Sequence, residues 1–171
     1  MVAPGASGCE VKLRWLFKGQ SWESGGGGLF RDSDGRVLVA FSCYFGEMTS
    51  LQAEVKALLH GVRLGVARGL ANFHVESDSL VLIQMLQGRA KWPWVVQREL
   101  QELAGYSHLY TEISHCFLEA NKPADRLAKL GADFGESVVY DSVLDLPRMV
   151  RGDVTLDRWA SPSFRRGRIK G

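Results

Sequence analysis

Three short stretches of this chain carry carboxylates where a strand-like run gives way to a helix-like one: Ala53-Glu54, Glu76-Ser77-Asp78-Ser79 and Ala120-Asn121-Lys122-Pro123-Ala124-Asp125. Acids gathered at one point repel unless cations neutralise them, and hard cations such as Mg2+ or Mn2+ take oxygen ligands. Two such ions ~3.5–4 Å apart can activate a water and stabilise the leaving oxygen of a phosphodiester. Glu54, Asp78 and Asp125 are therefore candidate metal ligands and catalytic groups acting on a nucleic acid. Each acid also has a local explanation. Glu54 and Asp125 lie near helix starts, where a negative charge complements the helix dipole, and Asp78 precedes a helix, where Asp commonly serves as a cap.

The elements that must bring these acids together can be read from hydrophobic periodicity. Val11, Leu13, Trp15 and Phe17 alternate with Lys12, Arg14 and Leu16, the period of a strand with one face in a core. A Gly-rich stretch, Ser24 to Gly28, leads into Leu29-Phe30-Arg31, and Asp32-Ser33-Asp34-Gly35 joins that run to Arg36 through Tyr44 as a hairpin. The period then changes to that of a helix. Thr49 and Gln52 form a capping box, and Leu51, Val55, Leu58, Leu59, Val62 and Val66 share one arc of the wheel. A short strand spans Asn72 to Glu76, helical stretches follow at Leu80 to Leu86 and Pro93 to Ala104, a fifth strand runs from Leu109 to Leu118, and a last helix starts at Lys122 behind Asn121 as its cap.

The expected fold class is α/β: a mixed five-stranded sheet of order βββαβαβα, flanked by helices, with later strands parallel to their neighbours. In such sheets the carboxyl ends of parallel strands and the first turns of following helices share one rim, which brings Asp78 and Asp125 together with Glu54 facing them. The expected organisation is a flexible N-terminus over 1–10, one domain over 11–135 and a basic extension over 136–171. A chain of 171 residues, 46% of them hydrophobic, is enough for that single core.

Charge and cysteine usage narrow the function classes. The net charge is only +2, yet residues 147–171 hold seven Arg and Lys against Asp153 and Asp157, leaving the rest mildly acidic. Such a tail can tether a polyanion or simply be solvated. Cys9, Cys43 and Cys116 are widely spaced, with no Cys-x-x-Cys pairing, and read as reduced thiols. No run is long enough to span a bilayer, and Met1 to Cys9 has neither a charged leader nor an apolar segment. A soluble intracellular monomer, nuclear or cytoplasmic, is expected. The run Gly25 to Gly28 is not a phosphate loop, because no Gly-Lys-Ser/Thr follows it. Asp32-x-Asp34-Gly35 lacks the later ligands of a calcium loop, and no Gly-x-Ser-x-Gly elbow is present.

Four motifs in order carry a family resemblance. They are Gly25-Gly26-Gly27-Gly28-Leu29-Phe30-Arg31-Asp32-Ser33-Asp34-Gly35, Leu51-Gln52-Ala53-Glu54, Val75-Glu76-Ser77-Asp78-Ser79 and Glu119-Ala120-Asn121-Lys122-Pro123-Ala124-Asp125-Arg126-Leu127-Ala128-Lys129. Over residues 11–135 the chain resembles the ribonuclease H family, and within it the plant, retrotransposon-related, reverse-transcriptase-like domains. The resemblance implies metal-dependent cleavage of the RNA strand of an RNA-DNA hybrid, with Mg2+ or Mn2+ held by Glu54, Asp78 and Asp125. His115, six residues before Asn121, takes the place of a loop His that assists proton transfer or product release. Recognition of a hybrid rests on duplex shape and 2′-hydroxyls. The segment Arg89-Ala90-Lys91-Trp92-Pro93-Trp94 interleaves cations with aromatics, so Lys91, Trp92 and Trp94 are candidate nucleic-acid contacts, together with Asn121; packing of the two tryptophans onto the sheet is the alternative.

One motif departs from the family. Its opening strand ends in Asn-x-Asp-Gly, whose Asp bridges both ions, and the match here is Arg14-Trp15-Leu16-Phe17. Leucine supplies no oxygen, and Glu10, Glu23, Asp32 and Asp34 are poorly placed to substitute. Two functions are therefore carried forward: a hybrid ribonuclease, and a catalytically degenerate domain that still binds nucleic acid or a protein. A purely structural module, with all three acids acting at helix ends, is a third.

Overall fold

The computed structural model describes residues 11–20 and 23–160. The expected flexible N-terminus over 1–10, Glu10 with it, and the basic tail beyond residue 160 lie outside the described residues.

Strand β1 (Val11–Gln20) runs antiparallel to β2 (Glu23–Arg31), which pairs antiparallel with β3 (Val37–Gly46). The turn between β2 and β3 is built by Asp32, whose Oδ1 accepts the backbone N–H groups of Asp34 and Arg36 at 2.9 Å each. Gly35 supplies the left-handed conformation the turn requires, at φ 77°. Helix α1 (Ser50–Ala67) starts at the expected capping box, with Gln52 N donating to Thr49 Oγ1 and Thr49 N to Gln52 Oε1. Strand β4 (Phe73–Ser77) follows, then α2 (Leu80–Leu86), a 3-10 turn at Trp94–Val96, α3 (Gln97–Gly105), β5 (Tyr110–His115) and α4 (Lys122–Phe134). Both β4 pairings, with β1 and with β5, are parallel, as links through helices require.

The chain goes on where periodicity is weak. A short strand, β6 (Val138–Tyr140), joins β3 antiparallel, and α5 (Arg148–Ala160) packs beside α4. The sheet thus has six strands in the order β5-β4-β1-β2-β3-β6. A three-residue strand is too short to show alternation, which is why five were expected. Part of the stretch read as an extension belongs to the folded body.

Each sheet face has its own core. On one, Leu13, Phe30, Phe41, Phe73 and Val75 meet Leu58 and Val62 of α1 and Leu100 and Leu103 of α3. On the other, Leu29 and Ala40 meet Ala124, Leu127 and Ala128 of α4, with Leu146, Val150 and Val154 closing over them. Arg126 of α4 and Asp153 of α5 form an ion pair across that seam.

The glycine run of β2 is where both helices approach the sheet. A Cβ on Gly25 would stand 2.3 Å from Ala128 O and one on Gly27 2.3 Å from Ala128 N, both backbone atoms of α4. On the opposite face, a Cβ on Gly26 would stand 2.6 Å from the Ala57 Cβ of α1. Gly131 of α4 completes the fit, since its Cβ would lie 2.2 Å from Cys43 O of β3. The run is a seat for helix backbone. Cys43 and Cys116 are buried, and burial pushes the Cys43 thiol up to about 12, which keeps it protonated and unreactive.

Candidate functional site

Parallel pairing sets Arg14 beside Glu76 and Trp15 beside Ser77. The next residues in the chain are Leu16, still within β1, and Asp78, directly after β4. The paired register closes at Trp15 and Ser77, so the residue without an oxygen and the acid each come one position past the last pair. On the other flank, Ser77 is in register with His115 of β5, and Cys116 N donates to Ser77 O at 2.9 Å. His115 Nε2 lies 3.1 Å from the main-chain oxygen of Asp78. A carbonyl only accepts, so Nε2 carries the hydrogen in this contact. The ring of Phe117, three-quarters exposed, meets the His115 ring edge-on at 5.6 Å.

Glu54 reaches the same end of β4 from α1. Its Oε2 accepts the Ser79 hydroxyl at 2.7 Å, and it feels the charge of Asp78. Glu54 lies beyond the first turn of α1, where dipole effects have faded, and the cap of α2 is Ser79 rather than Asp78. The local explanations for these two acids are thereby weakened. Asp125 does occupy the first turn of α4, next to Arg126, and dipole complementation continues to account for it.

The geometry gathers Glu54, Asp78 and His115 at the carboxyl end of β4. Among the described residues, however, no group of three or more His, Cys, Asp or Glu is arranged to hold a metal ion. With leucine at position 16, the donor set does not fit a two-ion centre. Burial holds the Glu54 carboxyl above the usual carboxylate range, the Asp78 charge adds to this, and the Ser79 hydrogen bond opposes it. A carboxyl raised in this way contributes most to stability below the ordinary carboxylate range, and that contribution is lost as pH rises through its folded value. Glu54→Gln is therefore expected to raise the melting temperature at pH 7, with the gain vanishing near pH 4. The side chain is partly open to solvent, so the rise is on the order of a few degrees at most. Thermal melts by circular dichroism between those pH values measure it, and a lower melting temperature at pH 7 would contradict the electrostatic account.

The aromatic segment divides in two. Trp92 is half-buried against the core and its indole N–H donates to Met85 O at 3.0 Å, so that ring anchors the loop. Trp94 is 85% exposed, with Lys91 exposed nearby in sequence, and presents a face on which a base could stack. Asn121 is fully buried. It occupies the cap position of α4 but makes no side-chain capping bond, contrary to the expected cap, and a side chain with no accessible surface cannot itself touch a nucleic acid. In the sequence Ser79 is marked only as a serine directly after Asp78, at the start of a helical run.

A model of the reverse transcriptase-like family matches residues 16–131. Among solved structures, ribonuclease H1 from the halophilic archaeon Halobacterium salinarum is similar at TM-score 0.68 and 19% identity, covering 73% of this chain and 98% of that one. LC11-RNase H1, in a structure with an RNA/DNA hybrid, is similar at TM-score 0.66 and 22% identity, covering 74% and 99%. The N-terminal RNase H domain of a Mycobacterium tuberculosis protein is similar at TM-score 0.62 and 25% identity, covering 73% and 96%. No curated protein matches. The family match spans most of the chain and the fold agrees with it, so the chain belongs to the reverse transcriptase-like family and is a ribonuclease H-like domain.

Proposed function

We propose that this domain binds nucleic acid, an RNA-DNA hybrid in the first instance, and that its hydrolytic centre is incomplete. The observation carrying this reading is that Leu16 and Asp78 each come one residue past the Trp15–Ser77 pair that closes the β1–β4 ladder. At the point where the resemblance calls for a bridging carboxylate, the chain has a side chain unable to ligate Mg2+ or Mn2+. Similarity to a ribonuclease H1 crystallised with a hybrid supports the choice of ligand. Exposed Lys91 and Trp94 supply charge and a stacking face. The partner would be met in the nucleus or cytoplasm by a monomer, and no helix among the described residues is long and apolar enough to cross a membrane.

A second reading, metal-dependent cleavage of the RNA strand, is favoured by two observations. Glu54 and Asp78 remain close enough to interact electrostatically, and His115 is hydrogen-bonded to the Asp78 carbonyl. In that reading Glu54, Asp78 and Asp125 are ligands and His115 moves a proton.

A labelled hybrid separates the two. The native chain is expected to bind it with strong salt dependence. In Mg2+ or Mn2+ it should cleave no faster than Asp78→Asn. Restoring the missing ligand with Leu16→Asp should raise metal-dependent cleavage roughly 100-fold or more. Native cleavage abolished by Asp78→Asn would establish the second reading. Absence of binding even at low salt would sink both.

A further inference from the structure

Ser79 sits at the cap position of α2, where a serine side chain ordinarily accepts a backbone N–H from the helix's own first turn. It makes no such bond. Its hydroxyl instead donates to Glu54 Oε2, 25 residues back in the chain, at 2.7 Å, within the range of a charge-assisted hydrogen bond. The direction of that hydroxyl is itself prepared. Ser77 is buried, and its Oγ accepts the Ser79 N–H at 3.1 Å, bending the chain immediately after β4. A side chain that forgoes a local bond for a distant carboxylate is the pattern expected where function, rather than helix stability, decides the contact.

We propose that Ser79 is a positioning residue: its hydroxyl holds the Glu54 carboxylate in place beside the turn that carries Asp78. The inference rests on the reading of Glu54 and Asp78 as the retained part of a nucleic-acid site, and it adds the group that keeps that part ordered. A Glu side chain has three rotatable bonds and, on a helix surface, samples several staggered states. One directional hydrogen bond from the residue at the α2 cap selects among them. Ser79 is thus the link between α1, which carries Glu54, and the turn after β4, which carries Asp78.

The test is made on the free full-length protein, by NMR measurement of the three-bond couplings along the Glu54 side chain. In the native chain they should report a single rotamer. Ser79→Ala should shift them to the average of several rotamers, and Ser79→Thr, which keeps the hydroxyl, should restore the single state. Should the alanine variant not fold, Ser79→Cys, similar in size and a weak donor, should give partial averaging. Unchanged Glu54 couplings in Ser79→Ala or Ser79→Cys would overturn the proposal, as would rotamer averaging already present in the native chain. Unchanged couplings together with faster exchange of the first amides of α2 would make Ser79 a helix cap only. Hybrid titration of the same samples keeps the two ideas apart, since failure of the native chain to bind hybrid sinks the binding reading and leaves the rotamer result standing.

Discussion

Gly131→Ala is expected to destabilise this protein by about 3 kcal/mol or more, and Gly131→Val to prevent folding. In an exposed helix the same alanine substitution would stabilise by up to about 1 kcal/mol, because glycine is a poor helix former. The sign is reversed here by contact with backbone. The new Cβ would stand 2.2 Å from Cys43 O, 2.7 Å from Cys43 C and 2.9 Å from Cys43 N, none of which can rotate away as a side chain would. Helix α4 would have to lift off the sheet, loosening Ala124, Leu127 and Ala128 from Leu29 and Ala40. Gly27→Ala should behave alike, since its Cβ would lie 2.3 Å from Ala128 N. Gly152 of α5 is an internal control, with nothing within 4 Å of its Cβ position, and Gly152→Ala should be neutral or stabilising. Urea denaturation of the three variants measures the effect. A Gly131→Ala protein as stable as the native one would show that α4 is not seated on the glycine run.

Removal of the chain after Glu136 is the second large effect expected. It deletes β6 and α5, and with them Leu146, Val150 and Val154, which cover Leu29, Ala40 and Leu127. Each such side chain contributes about 1.5–3 kcal/mol on full burial, and three together are comparable to the 5–15 kcal/mol total stability of an ordinary domain. The ion pairs Arg126–Asp153 and Arg68–Asp141 are lost as well, and β3 becomes an open edge at Ala40, Phe41 and Ser42. The truncated chain should be recovered largely insoluble, or melt more than about 10 °C below the full chain. Soluble yield and a thermal melt decide the matter, and a melting temperature within a few degrees of the full chain would show β6 and α5 to be dispensable. The similar ribonuclease H structures align over 73–74% of this chain, so the core fold is known to close in chains shorter than this one.

What could be read in advance was local. The Thr49 and Gln52 box, the Asp32 turn and the βββαβαβα order each depend on residues a few positions apart, where propensity and hydrogen bonding act without help from the rest of the chain. The family motifs were legible for the same reason, as short runs in a fixed order. Contacts between distant segments were not. Trp92 and Trp94 differ by two positions and read alike, yet Met85 O binds one indole while the other stands in solvent. Asn121 had the composition of a cap and is buried without capping. Strand β6 is too short to show a period, and its place was decided by the free edge of β3.

The sequence by itself determined that position 16 offers no oxygen to a cation, that three acids stand in motifs of one family, and that four consecutive glycines occupy the second strand. Only the tertiary structure decided what those facts amount to. Strand pairing put Leu16 and Asp78 each one residue past the Trp15–Ser77 pair, helix packing turned the glycines into a seat for backbone, and the turn after β4 aimed the Ser79 hydroxyl at Glu54. Composition sets which chemical groups exist, but two groups interact only when the fold closes the distance between them. For a site assembled from a strand end and two helix starts, that closure involves residues tens of positions apart in the chain.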